Sequence, residues 1–365
     1  MGYGGNCFLG DPDSEELWTE IIDQIPDEVF LNPDIKILNV ACGYGTEAKV
    51  IVHRMRKLGF DSDYINNRIY VLDKAIWATN RMMLHGRFKN VIRADFLTWE
   101  TDMKFDIVVG NPPYNRSRKV RNIGAPLWVN FLDKSNDVVA DNGHMLFIIP
   151  ATWMNRSERG AWKYIQPNDL VYVNPDVKKH FPGVGGNGGT FSAIHLIKRK
   201  YSGITSIRGE FDVNFHVDDI PANNKQFSEE SIEFLKKCEN HRMTVNWFAG
   251  STEPSINSQH WSKEKTDTHI FETFYSGASD RRSLWCDQSI GHHGQLKLVI
   301  PASGNLYNNM EITNKGVGRQ ANYVLGTERE LSEIRSLIMS ENNLKFVTLR
   351  SEGNYINPLK NITVL

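Results

Sequence analysis

The sequence predicts an α/β protein: a doubly wound parallel sheet followed by a mixed α+β domain. Three observations carry that expectation. Short apolar runs alternate with helical patterns from Lys36 to Pro150, the rhythm of strand–helix–strand units covering both faces of one sheet. Several of these runs stop at Gly, Asp or Asn, which would gather those residues on one edge of the sheet. After Lys198 the alternation ends, and polar loops rich in Asn, Ser and Gly take over. A boundary near Tyr201 follows, dividing the chain into residues 1–200 and 201–365.

The elements follow in order. "KILNVACG" (Lys36 to Gly43) is a strand running into a Gly-rich turn. "TEAKVIVHRMRKLG" has helical spacing at Val50, Ile51 and Met55 and closes at Gly59. "RIYVLD" is a strand ending at Asp73, "IWATNRMMLHGR" a helix, and "NVIRADFL" and "FDIVVG" two further strands. "PLWVNFLDKSNDVVADNG" reads as a helix ending at Gly143, and "HMLFIIP" as the strand after it. Beyond the boundary, helical periodicity survives at "SEESIEFLKKCEN" and "TERELSEIRSLIMSENN". In open sheets of this type, ligands bind beyond the carboxyl ends of the strands.

Composition narrows the class. The 365 residues carry a formal net charge of −1, so a nucleic-acid partner would have to be held by local patches. The four cysteines are far apart and form no CxxC pair, which argues against a structural zinc site or a disulfide framework. His292 and His293 are adjacent, a spacing at which the rings usually diverge, and no carboxylate stands at ligand spacing; no metal is expected. The first residues have neither the pattern of a secretory signal nor that of a myristoylation site, and no apolar run nears the ~20 residues needed to span a bilayer. A soluble, cytoplasmic chain without a membrane partner is expected.

Three strand ends describe a pocket for an adenosine moiety. In Asn39-Val40-Ala41-Cys42-Gly43-Tyr44-Gly45 the two glycines let the backbone turn sharply and approach a ligand closely. Asp73, about 30 residues on, ends the next strand, where a carboxylate can accept from both ribose hydroxyls. Asp95 can accept from an exocyclic amine, and Phe96 can pack on a purine face. Each motif alone has a bland reading: a tight turn, a helix cap, a core Phe.

Asn111-Pro112-Pro113-Tyr114 carries more. Each proline fixes φ, lacks an N–H and restrains its predecessor, so the arc is stiff. The Asn111 side-chain oxygen and the Pro112 carbonyl are two acceptors, which suit the two donors of a planar NH2 group. Accepting both hydrogens draws the nitrogen lone pair towards tetrahedral geometry, so the work is positioning and electrostatics rather than strong base. Tyr114 offers a stacking face.

Together these motifs resemble the S-adenosylmethionine-dependent amino-methyltransferases, and above all the gamma class of N6-adenine DNA methyltransferases, the modification enzymes of restriction systems. "APLWVNFLDKSNDVVADNGHMLFIIPATWM" and "HFPGVGGNGGTFSAIHLIK" are similar to later segments of that family. The resemblance implies a Rossmann-like methyltransferase sheet with a C-terminal target-recognition domain, and S-adenosyl-L-methionine as cofactor. It also implies double-stranded DNA as partner, with a flipped adenine methylated at N6. Asn39, Ala41, Gly43, Gly45, Asp73, Asp95 and Phe96 would hold the cofactor. Asn111 and Pro112 would bind the amine, and Tyr114 and Phe191 would stack on the base. Asn39 stands where the family usually has an acid, which leaves the contact to the methionine ammonium open, with Glu47 as an alternative. Asp11-Pro12 replaces a usual Thr-Pro. The cluster Arg116, Arg118, Lys119 and Arg121 would grip phosphates beside the extruded base, since flipping costs a few kcal/mol. A monomer is favoured, with a cognate restriction endonuclease as a possible companion. The alternatives are an amino-methyltransferase of RNA adenine or protein glutamine, whose amines are also conjugated, and a non-enzymatic nucleic-acid-binding module. About 165 residues after the first domain favour a polymer substrate with sequence to be read.

Overall fold

A computed structural model gives the fold. It describes residues 13–86, 88–114, 126–154, 161–181, 191–208, 210–213, 228–239, 241–254, 259–276, 281–301, 310–318, 321–350, 359 and 361–364. The chain forms two compact units, Met1–Ile220 and Pro221–Leu365.

The first unit is built on a nine-stranded sheet. Its elements in chain order are α1 (Asp13–Ile22), α2 (Asp27–Phe30), β1 (Ile37–Val40), α3 (Thr46–Lys57), α4 (Ser62–Arg68), β2 (Ile69–Asp73), α5 (Ile76–Arg81), β3 (Asn90–Arg93), β4 (Phe105–Gly110), α6 (Leu127–Val138), β5 (Val139–Pro150), α7 (Trp162–Ile165), β6 (Asp169–Asn174), β7 (Phe191–Ile197), β8 (Thr205–Ile207) and β9 (Phe211–Val213). The strand order is β3-β2-β1-β4-β5-β7-β6-β8-β9. Strands β1 to β5 run parallel. This is a doubly wound architecture, and its strand order reverses between β1 and β4. All four residues of β1 are buried, as a strand covered on both faces requires. Leu17, Trp18 and Ile21 of α1 and Ile51 and Met55 of α3 belong to the same core as Ile37 of β1 and Ile107 of β4.

Three expectations are corrected. The helix expected to end at Gly143 stops at Val138, because Val139 already pairs with Phe105 of β4. The β-branched pair Val138-Val139 favours the extended form, and Asn142 sits at φ +62°. The sheet is not parallel throughout, since β7 lies antiparallel between β5 and β6. The division falls at Ile220 rather than near Tyr201, because β8 and β9 extend the first sheet by two short strands.

The second unit contains two four-stranded sheets, a two-stranded ladder, and helices at Glu229–Glu239, Glu328–Ile338 and Glu341–Arg350. Leu298, Ile300, Leu331, Ile338 and Ile362 share a core, so helix Glu328–Ile338 covers strand Lys297–Pro301. Thr327 and Glu330 form a reciprocal capping box at the start of that helix. No helix of the described residues is long and apolar enough to cross a membrane.

Candidate active site

The strand ends meet as parallel registers demand. Val40 is opposite both Leu72 and Gly110, and Asp73 is opposite Arg93. The turn after β1 therefore lies between the end of β2 and the start of the Asn-Pro-Pro-Tyr arc after β4, at the point where the strand order reverses.

The turn is conformationally demanding. Ala41, Gly43 and Gly45 all have positive φ, at +50°, +48° and +77°. For Ala41 this is strained, a cost that surrounding contacts must offset. Those contacts are present. The Cys42 N–H donates to Leu72 O at 3.1 Å, and the Gly45 N–H to Cys42 O at 2.6 Å. Asp73 clamps the turn from the other side. Its Oδ2 accepts from the Gly43 N–H at 3.1 Å and its Oδ1 from the Ala75 N–H at 2.8 Å. A carboxylate has four lone-pair sites, so acceptor capacity remains for hydroxyls. A Cβ on Gly45 would come within 2.6 Å of the Met82 sulfur.

Two polar groups beneath the turn are incompletely matched. Asn39 is fully buried; its Nδ2 donates to Val109 O at 3.3 Å, while its Oδ1 has no partner. Glu47, in the first turn of α3, is 6% exposed. Burial pushes its carboxyl from 4.5 up to about 7, against the pull of its own backbone N–H and of the Asn39 side chain, with the Asp73 charge adding to the rise. Burial, with the Asp73 and Glu47 charges, also holds the Cys42 thiol well above its ordinary value, so it is a protonated wall and not a nucleophile.

Asp95 follows β3, where Lys74 Nζ reaches its Oδ2 at 3.3 Å and the Leu97 N–H its Oδ1 at 3.2 Å. Phe96 lies in the core, 1% exposed, with its ring 5.4 Å from that of Phe131. Its ring face is thus engaged by protein. The open apolar surface nearby is Ile76, 52% exposed in the first turn of α5, three residues after Asp73.

The Asn-Pro-Pro-Tyr arc closes on itself. Tyr114 Oη donates to Asn111 Oδ1 at 2.9 Å and lies 3.5 Å from Ile148 O. Pro112 is buried, and its carbonyl takes no backbone N–H among the described residues. The Tyr114 ring stacks on Phe191, with centroids 4.9 Å apart and planes 23° from parallel. Phe191 reaches this place because β7 is antiparallel: its first residue lies opposite Pro150, the last of β5. The Phe181 and Phe191 rings also meet edge-on, with centroids 6.3 Å apart.

The structure therefore brings Asn39, Ala41, Gly43, Gly45 and Asp73 into one cradle and Asn111, Tyr114 and Phe191 into another cluster at the same sheet edge. Arg116, Arg118, Lys119 and Arg121 lie outside the described residues, as do Gly5–Asp11 with Pro12 and the segment Gly186 to Thr190. Two residues were under-read from the sequence. Glu47 was legible as a carboxylate on an apolar helix face, one turn before Ile51 and two before Met55. Ile76 carried no signal beyond its place after Asp73. In the second unit, His292 has φ +51° and its Nδ1 lies 2.7 Å from the Tyr323 hydroxyl, while the His293 ring meets Phe271 edge-on. No cluster of three or more His, Cys, Asp or Glu that could hold a metal occurs among the described residues.

Residues 46–172 match the protein-family model described as Eco57I restriction-modification methylase. The chain is 28% identical over 171 residues to the Type II methyltransferase M.BstVI of Geobacillus stearothermophilus, an alignment covering 40% of this chain and 27% of that protein. It is 29% identical over 110 residues to the release factor glutamine methyltransferase of Rhodopirellula baltica, covering 30% of this chain and 36% of the relative. The chain thus spans well under half the length of the curated relatives it matches. Among solved structures, the Type IIL restriction-modification enzyme MmeI in complex with DNA superposes with a TM-score of 0.50 at 10% identity, covering 96% of this chain and 64% of that one. At that identity the likeness shows a shared fold.

Proposed function

We propose, from the match of residues 46–172 to the restriction-modification methylase model and from the site geometry, that this chain methylates the N6 amine of an adenine flipped out of double-stranded DNA, with S-adenosyl-L-methionine as cofactor. The observation that carries the reading is the pairing of the left-handed cradle after β1 with the Asn111-Pro112-Pro113-Tyr114 arc after β4, side by side where the strand order reverses.

The cradle fits the cofactor. Asp73 has acceptor capacity for ribose hydroxyls at a strand end, and Asp95 has it for an exocyclic amine. Ile76 supplies an apolar face for a purine ring, a role first expected of Phe96. When bound, S-adenosylmethionine supplies a methyl group made electrophilic by its sulfonium. The protein's own work is to orient the acceptor amine. Asn111 Oδ1 and the Pro112 carbonyl accept its two N–H groups and direct the lone pair along the line of attack. Tyr114 and Phe191 hold the base between them. A base in contact with both rings needs about 7 Å between their planes, two van der Waals layers. The closed stack, whose rings are already in contact, must therefore widen by one further layer, about 3.5 Å, and the target amine replaces the Tyr114 hydroxyl on Asn111. The proton gained by the amine leaves to solvent.

The likeness to a glutamine methyltransferase sustains a second reading, transfer to a carboxamide NH2. One experiment separates the two. Labelled methyl groups are followed from S-adenosylmethionine to duplex DNA, single-stranded DNA, RNA and protein, with digestion of the product. N6-methyladenine from duplex DNA is expected; label only in RNA or in N5-methylglutamine would refute the first reading.

A further inference from the structure

The cradle holds a carboxyl group that the proposed mechanism does not use. Glu47 is buried at the start of α3, with its side chain against the Asn39 amide, and among the described residues it meets no cation. The groups around it are neutral or acidic: Asp73 from the end of β2, the Cys42 thiol from the turn, and Asn39 from β1, whose Oδ1 is buried without a partner. The nearest cations on the same helix are engaged elsewhere. Lys49 pairs with Glu15 of α1 at 2.6 Å, and Arg54 pairs with Asp23 and Asp27. A buried carboxyl and a neighbouring buried, orphaned amide oxygen are costly unless a donor arrives.

We propose that Glu47 and Asn39 Oδ1 together receive the α-amino cation of the cofactor's methionine moiety, and that Glu47 gives up its proton to solvent as that cation binds. This rests on the reading of the cradle as a cofactor site. In the unliganded protein the desolvated carboxyl is protonated up to about pH 7. An ammonium group placed against it supplies a positive charge and donors for both orphaned acceptors, which favours the ionised form. Cofactor binding is then a cation-for-proton exchange at a position buried from water, and Glu47 is a recognition residue, remote from the methyl transfer itself.

The test is calorimetric. The full chain is titrated at pH 6.5 with S-adenosylhomocysteine, whose sulfur is neutral and whose amino group is already protonated. Two buffers of different ionisation enthalpy are used. Binding should release protons at pH 6.5, and the release should fall as the pH is raised to 8.5, where the raised carboxyl is already ionised before the cofactor arrives. Glu47→Gln should lose the release and weaken binding about tenfold or more. It should bind 5′-methylthioadenosine, which lacks the amino-acid moiety, as well as the unaltered protein does. Binding without proton release by the unaltered protein would overturn the proposal and leave the cofactor site standing, and that measurement needs no variant. Equal losses for both ligands in Glu47→Gln would also overturn it. Failure of the unaltered protein to bind either ligand would instead refute the cofactor reading and the proposal with it.

Discussion

Replacing Glu47 by Gln should stabilise the cofactor-free protein, by an amount that depends on pH. Gln keeps the shape of the side chain and removes its ionisation. In the unfolded chain the carboxyl titrates near 4.5, and in the folded protein near 7. Below about pH 4.5 the group is neutral in both states and adds no pH dependence. Between 4.5 and 7 the folded state holds a proton that the unfolded state has released, so stability falls as pH rises. Above about 7 both states are ionised and the slope vanishes. At about 1.36 kcal/mol for each pH unit, the span from 4.5 to 7 amounts to about 3 kcal/mol. The Gln variant escapes this loss, and its amide can also donate to the unpartnered Asn39 Oδ1. Thermal unfolding followed from pH 4.5 to 8.5 should show a midpoint difference, variant minus unaltered protein, that grows with pH and levels off above 7. For a unit of this size about 3 kcal/mol corresponds to several degrees. All other titrating groups are common to both proteins and cancel. A difference that is flat across this range would mean that Glu47 is ionised in the folded protein at all these pH values, and would refute the argument from burial.

Four further outcomes are expected. Asn111→Ala should lower methyl transfer by two to three orders of magnitude, about the loss of a transition-state acceptor, while S-adenosylhomocysteine affinity is unchanged; undiminished turnover would contradict the role of the arc. Phe191→Ala removes a buried stacked ring and should cost about 3 kcal/mol or more of stability. It should also reduce the 2-aminopurine fluorescence change on DNA binding, in a duplex carrying that base at the target position. Gly110→Ala places a Cβ 2.6 Å from Val40 O and should lower the unfolding midpoint by the equivalent of about 1–3 kcal/mol; circular dichroism melts would detect it. The buried pair His144–His195, with Nδ1 and Nε2 2.8 Å apart, is held below the usual imidazole range by burial, with His144 near 4. The unfolded state therefore takes up protons that the folded state refuses, and stability should fall as pH drops from about 6.5 towards 4. His144→Gln should flatten that acid limb in a stability–pH profile.

Much of the first unit was legible because its signals are local. A central parallel strand is a continuous apolar run, and Gly, Asp or Asn marks its end, so the amino-acid order alone places β1, β2 and β4 and the residues that follow them. The antiparallel course of β7 was not legible, since its buried run is compatible with either direction of pairing. The boundary moved by about 20 residues because β8 and β9 have three residues each, too few to show a period. Phe96 shows the limit for site residues. An aromatic after a strand-end acid reads the same whether it faces a purine or Phe131. The perturbation of Glu47 was invisible for a related reason, since it arises from what β1 and β2 bring around α3.

The two rings of the proposed base slot are anchored very differently, and this has a mechanical consequence. Phe191 begins a strand paired on both sides, with β5 and with β6. It also meets Phe181 edge-on, and is the fixed jaw. Tyr114 stands on an arc outside any helix or strand, so it is the jaw that travels when the slot widens. Its hydroxyl is also what occupies Asn111 Oδ1. Displacing Tyr114 by one ring thickness, about 3.5 Å, would therefore open the slot and uncover the acceptor in a single movement. Under the proposed function, the same entering ring that wedges the jaws apart would expose the oxygen its own amine needs.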